Sequence, residues 1–138
     1  GEHYFQDCTF GLDTVTRSAA NASLEFSGGT ARSKFRNCVF PFQTSAATPL
    51  GVIVSAAAGS DRWQLFEGCS FINNIKSTST QMSALATLAA SMGGLLLMKD
   101  CTMVGITDFG TDATSLAQIY IDGPVPTANT TGIAVNPS

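Results

Sequence analysis

The sequence predicts an all-β fold in which parallel strands wind in stacked coils of about 31 residues. Two observations carry this. Four hexapeptides share one shape: FQDCTF at 5–10, FRNCVF at 35–40, FEGCSF at 66–71 and MKDCTM at 98–103. Their cysteines, Cys8, Cys38, Cys69 and Cys101, are almost evenly spaced, each gap one position longer than the last. A near-constant period of this size is the mark of a repeat architecture, in which each unit buries its apolar side against the next.

The spacing inside each hexapeptide predicts strand, bend, strand. From each cysteine to the next large apolar residue is two positions, the period of a strand. From the preceding large apolar residue to the cysteine is three, one too many. A single corner residue restores both side chains to one interior. That residue is Asp7, Asn37, Gly68 or Asp100. These are the residue types that best tolerate a left-handed backbone. Phe5/Cys8/Phe10, Phe35/Cys38/Phe40, Phe66/Cys69/Phe71 and Met98/Cys101/Met103 are therefore expected to point inward.

A second set of strands is expected between the motifs, at 23–27 (SLEFS), 51–55 (GVIVS), 83–88 (SALATL) and 117–121 (AQIYI). Leu24/Phe26, Val52/Val54 and Ile119/Ile121 alternate as strands do. Met82, Leu85 and Ala89 also fit a helix over 77–91, but the segment occupies a strand's place in the repeat. The period is long for a tight coil, so loops are expected at 13–22, 41–49, 73–81 and 105–115, with a closing strand at 132–135.

NCVF at 37–40, with the three related copies, resembles the corner pattern of the right-handed parallel β-helix family, the single-stranded pectate-lyase-like solenoid. The resemblance covers residue 4 to about 121. It implies a right-handed single-stranded parallel β-helix of three to four coils over 1–122, with 123–138 as a C-terminal extension or cap.

The cysteines have three readings: a buried packing ladder, one or two disulfides between coils, or a metal site. No two are near neighbours in the sequence, as paired zinc ligands usually are, and His3 is the sole histidine, which disfavours zinc. Cysteine is small, apolar and readily buried, which favours the ladder.

Charge excludes some functions. The chain has 138 residues, 7 of them basic and 10 acidic, for a net charge of -3. Only Arg32, Lys34 and Arg36 cluster among the basic residues, so no footprint for nucleic acid is present. No segment reads as a membrane span; the apolar stretch 82–98 is interrupted by Ser83, Thr87, Ser91, Gly93 and Gly94. Among the acids, Asp108 and Asp112 share one loop and could form a pair, but solvated loop acids account for them better than a catalytic pair does. Glu67 is expected in an outward column Gln6, Arg36, Glu67, Lys99, with cross-strand charge pairing. Neither 27–29 (SGG) nor 91–94 (SMGG) completes a phosphate loop. Asn21 and Asn129 open glycosylation-type triplets. Trp63 and Tyr120 are read as packing between coils rather than as sugar-stacking platforms. No residue is assigned a catalytic, cofactor-binding or metal-binding role, and the chain is read as a non-enzyme.

The motif opens near Tyr4 with no recognisable cap, and 123–138 is rich in Pro, Thr and Asn. The chain, a whole protein or a piece of one, is accordingly expected to pack against neighbours in an oligomer. Short β-helix domains that this chain resembles occur in virus and phage particles. The resemblance implies a structural virion component, capsid-associated, decoration or fibre-type, with other particle subunits or copies of itself as partners. The alternatives are a polysaccharide-binding or polysaccharide-cleaving protein and a cell-surface adhesin fragment.

Overall fold

The computed structural model describes residues 1–17, 22–27, 29, 31–44, 52–55, 62–74, 82–89, 94–110 and 119–122. Among them it is all-β, with eleven strands and no helix. The expected strand at 132–135, the extension 123–138 and much of each expected loop lie outside the described residues.

The strands form three parallel sheets, which the chain visits in rotation. Sheet I contains β1 (Glu2–Gln6), β3 (Arg32–Arg36), β6 (Gln64–Glu67), β9 (Leu96–Lys99) and β11 (Ile119–Asp122), in that order. Sheet II contains β4 (Val39–Phe42), β7 (Ser70–Asn73) and β10 (Thr102–Val104). Sheet III contains β2 (Leu24–Phe26), β5 (Ile53–Ser55) and β8 (Ala86–Thr87). The register aligns equivalent motif positions: Phe5 with Phe35, Phe35 with Phe66, and Phe66 with Met98.

The bend expected from the motif is present in all four copies. Asp7, Asn37 and Asp100 have φ of 56°, 52° and 51°, and Gly68 has 63°. Each bend amide is held by the next repeat: Asp7 N donates to Arg36 O, Asn37 N to Glu67 O and Gly68 N to Lys99 O, at 3.0, 2.9 and 2.9 Å. Glycine in the third copy has a further cause. A Cβ at Gly68 would stand 2.7 Å from Asn37 Oδ1, so the asparagine of one repeat leaves no room for a side chain in the next.

Inside the bends, Phe5, Phe35 and Phe66 stack at 5.0 and 4.7 Å with nearly parallel planes. Phe10, Phe40 and Phe71 do the same at 5.1 and 4.8 Å. These columns meet in T-shaped or tilted contacts, the geometries that ring quadrupoles favour. Inward residues of all three sheets join in one cluster with Cys38, Cys69 and Cys101. Asn73 ties the second corner: its Nδ2 donates to Thr44 Oγ1 at 2.9 Å and Gly105 O at 3.0 Å, and its Oδ1 accepts from Thr44 N. All three partners are backbone or short side chains in neighbouring repeats, which satisfies a polar group that burial would otherwise penalise.

The structure differs from three expectations. Residues 117–121 were expected among the inter-motif strands, yet β11 lies in sheet I, with Ile121 opposite Met98 and Tyr120 opposite Leu97. The return to sheet I is shorter there: Ser33 pairs with Gln64 and Gln64 with Leu96, but Leu96 pairs already with Ile119. The place opposite Ala86 in sheet III is filled instead by Gly110. Second, the expected loop at 41–49 starts late, because β4 continues through Pro41 and Phe42, opposite Ile72 and Asn73. Third, Val52 and Ile53 are both buried, so Val52 does not alternate with its neighbour; it precedes β5, and its carbonyl accepts from Ser23 N and Leu24 N. Within 77–91, the described residues 82–89 hold a strand and a bridge and no helical turn.

Candidate functional surfaces

Strand alternation sends every second residue of sheet I outward, and the register arranges these in rows across the strands. One row reads Gln6, Arg36, Glu67, Lys99, as expected, and β11 extends it to Asp122. The next reads Tyr4, Lys34, Leu65, Leu97, Tyr120. A third holds Glu2 and Arg32, with Trp63 and Leu95 just ahead of β6 and β9. Arg32, Lys34 and Arg36, the clustered basic residues, thus stand on one face of β3.

Two of these cations, Arg32 and Lys34, are engaged by neighbouring acids and rings. Arg32 Nη1 lies 3.3 Å from Glu2 Oε1, and its guanidinium covers the Trp63 ring at 5.9 Å. Lys34 Nζ lies 3.2 Å from Glu67 Oε2. The expected partners of Glu67 were Arg36 and Lys99, directly across the strands. The ion pair forms on the diagonal instead, within reach of the long lysine stem. The hydrogen bond and charge of Lys34 draw the Glu67 carboxyl below the usual carboxylate range, helped by Arg36 and Lys99. Glu2, Tyr4, Arg32, Lys34 and Trp63 border an open groove of about 290 Å³.

Trp63 lies under the Arg32 guanidinium of the neighbouring repeat but is 38 % exposed, short of the packing expected for it. Tyr120 departs further from it: it points outward and is 54 % exposed. Together with Leu65, Leu95 and Leu97 these rings form an apolar stripe beside the charged row. Sequence reasoning missed this stripe. Its signal was present in the run Leu95-Leu96-Leu97-Met98, which is apolar at both parities. A strand covered on one face alternates; a strand covered on both reads as a continuous apolar run.

The four cysteines are free, three of them buried and Cys8 half-buried. Each buried thiol donates toward the carbonyl of the preceding repeat: Cys38 to Phe5 O, Cys69 to Phe35 O and Cys101 to Phe66 O, at 3.6, 3.4 and 3.4 Å. Burial pushes the Cys38 thiol up, and the interaction between the Cys69 and Cys101 thiols, with burial behind it, holds Cys69 above the usual thiol range while drawing Cys101 below it. Raised thiols such as Cys38 and Cys69 pack and donate; they are poor nucleophiles.

Among the described residues, the remaining sequence candidates do not converge. Asp7 and Asp100 occupy bends. Asp108 Oδ1 accepts from Phe109 N at 2.7 Å, and Asp112 lies outside the described residues. His3 is exposed, with its ring 6.4 Å from that of Phe5. Asn21, Asn129 and 91–93 are outside the described residues. Among the described residues no three His, Cys, Asp or Glu side chains gather as a metal site, and no helix is long and apolar enough to cross a membrane. Comparison of the chain with protein-family models, curated proteins and solved structures finds no match.

Proposed function

We propose that the chain is a right-handed parallel β-helix of three to four stacked coils, and that it serves as a structural component of a virus or phage particle. It acts through protein–protein contacts in an oligomer. The β-helix reading is supported by three parallel sheets visited in rotation, and by the near-constant offset along sheet I from Phe5 to Phe35, Phe66 and Met98. The particle setting rests on resemblance to short β-helix domains of such assemblies, an argument by analogy.

One observation carries the functional part. Sheet I has a second apolar surface on its outward face, in Trp63, Leu65, Leu95, Leu97 and Tyr120, bordered by a row of charges. An aromatic and leucine centre with a polar rim is the anatomy of a protein contact. A binding groove for an anion would hold its cations ready for the ligand, whereas Arg32 and Lys34 are paired within the chain.

Light scattering across a wide concentration range tests the reading. The expected result is a mass above that of one chain that rises with concentration. A single-chain mass throughout would overturn it, and saturable binding of a polysaccharide by that monomer would favour the saccharide alternative.

A further inference from the structure

The charged row on sheet I has an order that selects its partner. From β3 to β11 it reads Arg36, Glu67, Lys99, Asp122: plus, minus, plus, minus. Reversed, it reads minus, plus, minus, plus. A row of this kind is complementary to itself when one copy faces another in the opposite order.

We propose that the outward face of sheet I docks on the same face of a second copy, about a two-fold axis parallel to the strands and centred between β6 and β9. This rests on the oligomeric reading above and names its surface. In this arrangement Arg36 meets Asp122 of the other copy, and Glu67 meets Lys99. The adjacent row, Lys34, Leu65, Leu97, Tyr120, also matches its own reverse. Leu65 meets Leu97, and Lys34 meets the ring of Tyr120, a cation–π pairing. Trp63 meets Leu95. Each of these pairings occurs twice, as a two-fold contact requires. The other in-plane two-fold, perpendicular to the strands, sets the charged row against Trp63 and Leu95 and strands charges on apolar surface, which costs free energy. Strands of the two copies run in the same direction, the aligned mode of sheet packing.

Size sets the strength. Four strands about 4.8 Å apart, each contributing four or five residues of about 3.3 Å rise, give a planar footprint of roughly 300 Å² per copy. Specific interfaces commonly bury about 800 Å² per partner. The contact is therefore reversible and concentration-dependent, suited to reinforcement by other contacts in an assembly.

Sedimentation equilibrium on the wild type, Lys99→Glu and the double exchange Glu67→Lys/Lys99→Glu tests the proposal, with thermal unfolding as the check that each variant folds. Lys99→Glu sets Glu67 of one copy against a new glutamate of the other, twice, and should weaken dimerisation by roughly tenfold or more. The double exchange restores opposite charges across the two-fold and should return affinity to near wild type. It also removes the Lys34–Glu67 pair within the chain, so its unfolding temperature should fall while association recovers. A wild type that associates equally in all three forms overturns this surface and leaves the oligomeric reading standing. A wild type that is monomeric throughout overturns both.

Discussion

The two faces of sheet I obey opposite rules. Inward, like sits on like: Phe5, Phe35 and Phe66 repeat the same side chain in register, and Met98 and Ile121 continue the apolar column. In the outward charged row, unlike sits on unlike: Arg36, Glu67, Lys99 and Asp122 alternate in sign on the same strands. The spacing between strands is common to both faces, so chemistry makes the difference. Apolar rings gain from contact with their own kind at stacking distance. Like charges at that distance repel, and opposite charges attract modestly. The inward columns hold the repeats together, and the outward rows are left to set what the sheet meets.

The largest predicted effect separates the faces directly. Phe66 is fully buried and stacked on Phe35 at 4.7 Å, so Phe66→Ala should cost about 3–5 kcal/mol in denaturant unfolding. Leu65→Ala, one residue away and outward, should cost under about 1 kcal/mol in the isolated chain. Equal losses would erase the distinction.

The bend that turns the chain from sheet I to sheet II is the next target. Asn37 has φ of 52°, which a β-branched side chain resists. Asn37→Val should lose about 1–3 kcal/mol, while Asn37→Gly should change stability little. Thermal unfolding that ranks the two variants equally would remove the bend from the account.

The smallest effect belongs to the outward face. The folded-state carboxyl of Glu67 titrates below its unfolded value, so its contribution is present above the ordinary carboxylate range. That contribution is lost as pH falls through the lowered value. Because Glu67 is partly exposed, the loss is modest. In thermal unfolding between pH 6 and acid, about pH 3, Glu67→Gln should show a flatter decline than the wild type. A steeper decline in the variant would reverse the sign assigned to the Lys34 pair.

What was legible in the sequence was whatever repeats. The hexapeptide showed the bends, the inward Phe columns and the outward row from Gln6 to Lys99, because four copies constrain one geometry. The strand at Ile119–Asp122 was misplaced because IYID has no cysteine motif within it and follows a shorter connection. The glycine at 68 read only as a tolerant bend residue, since its crowding by Asn37 Oδ1 exists only once repeats are in register. Glu67 was given its directly opposed neighbours because register is visible in a period, whereas the reach of a lysine side chain is not. The outward stripe was hidden for a further reason. An apolar run such as Leu95–Met98 has the same letters whether its second face is covered by its own chain or by another.

Leu97 stands near the middle of that stripe and tests the central claim most directly. Sedimentation equilibrium should show the wild type associating as its concentration rises, and Leu97→Asp remaining monomeric with its unfolding temperature little changed. Equal association of the two proteins would contradict the assignment of the outward face of sheet I as the contact surface.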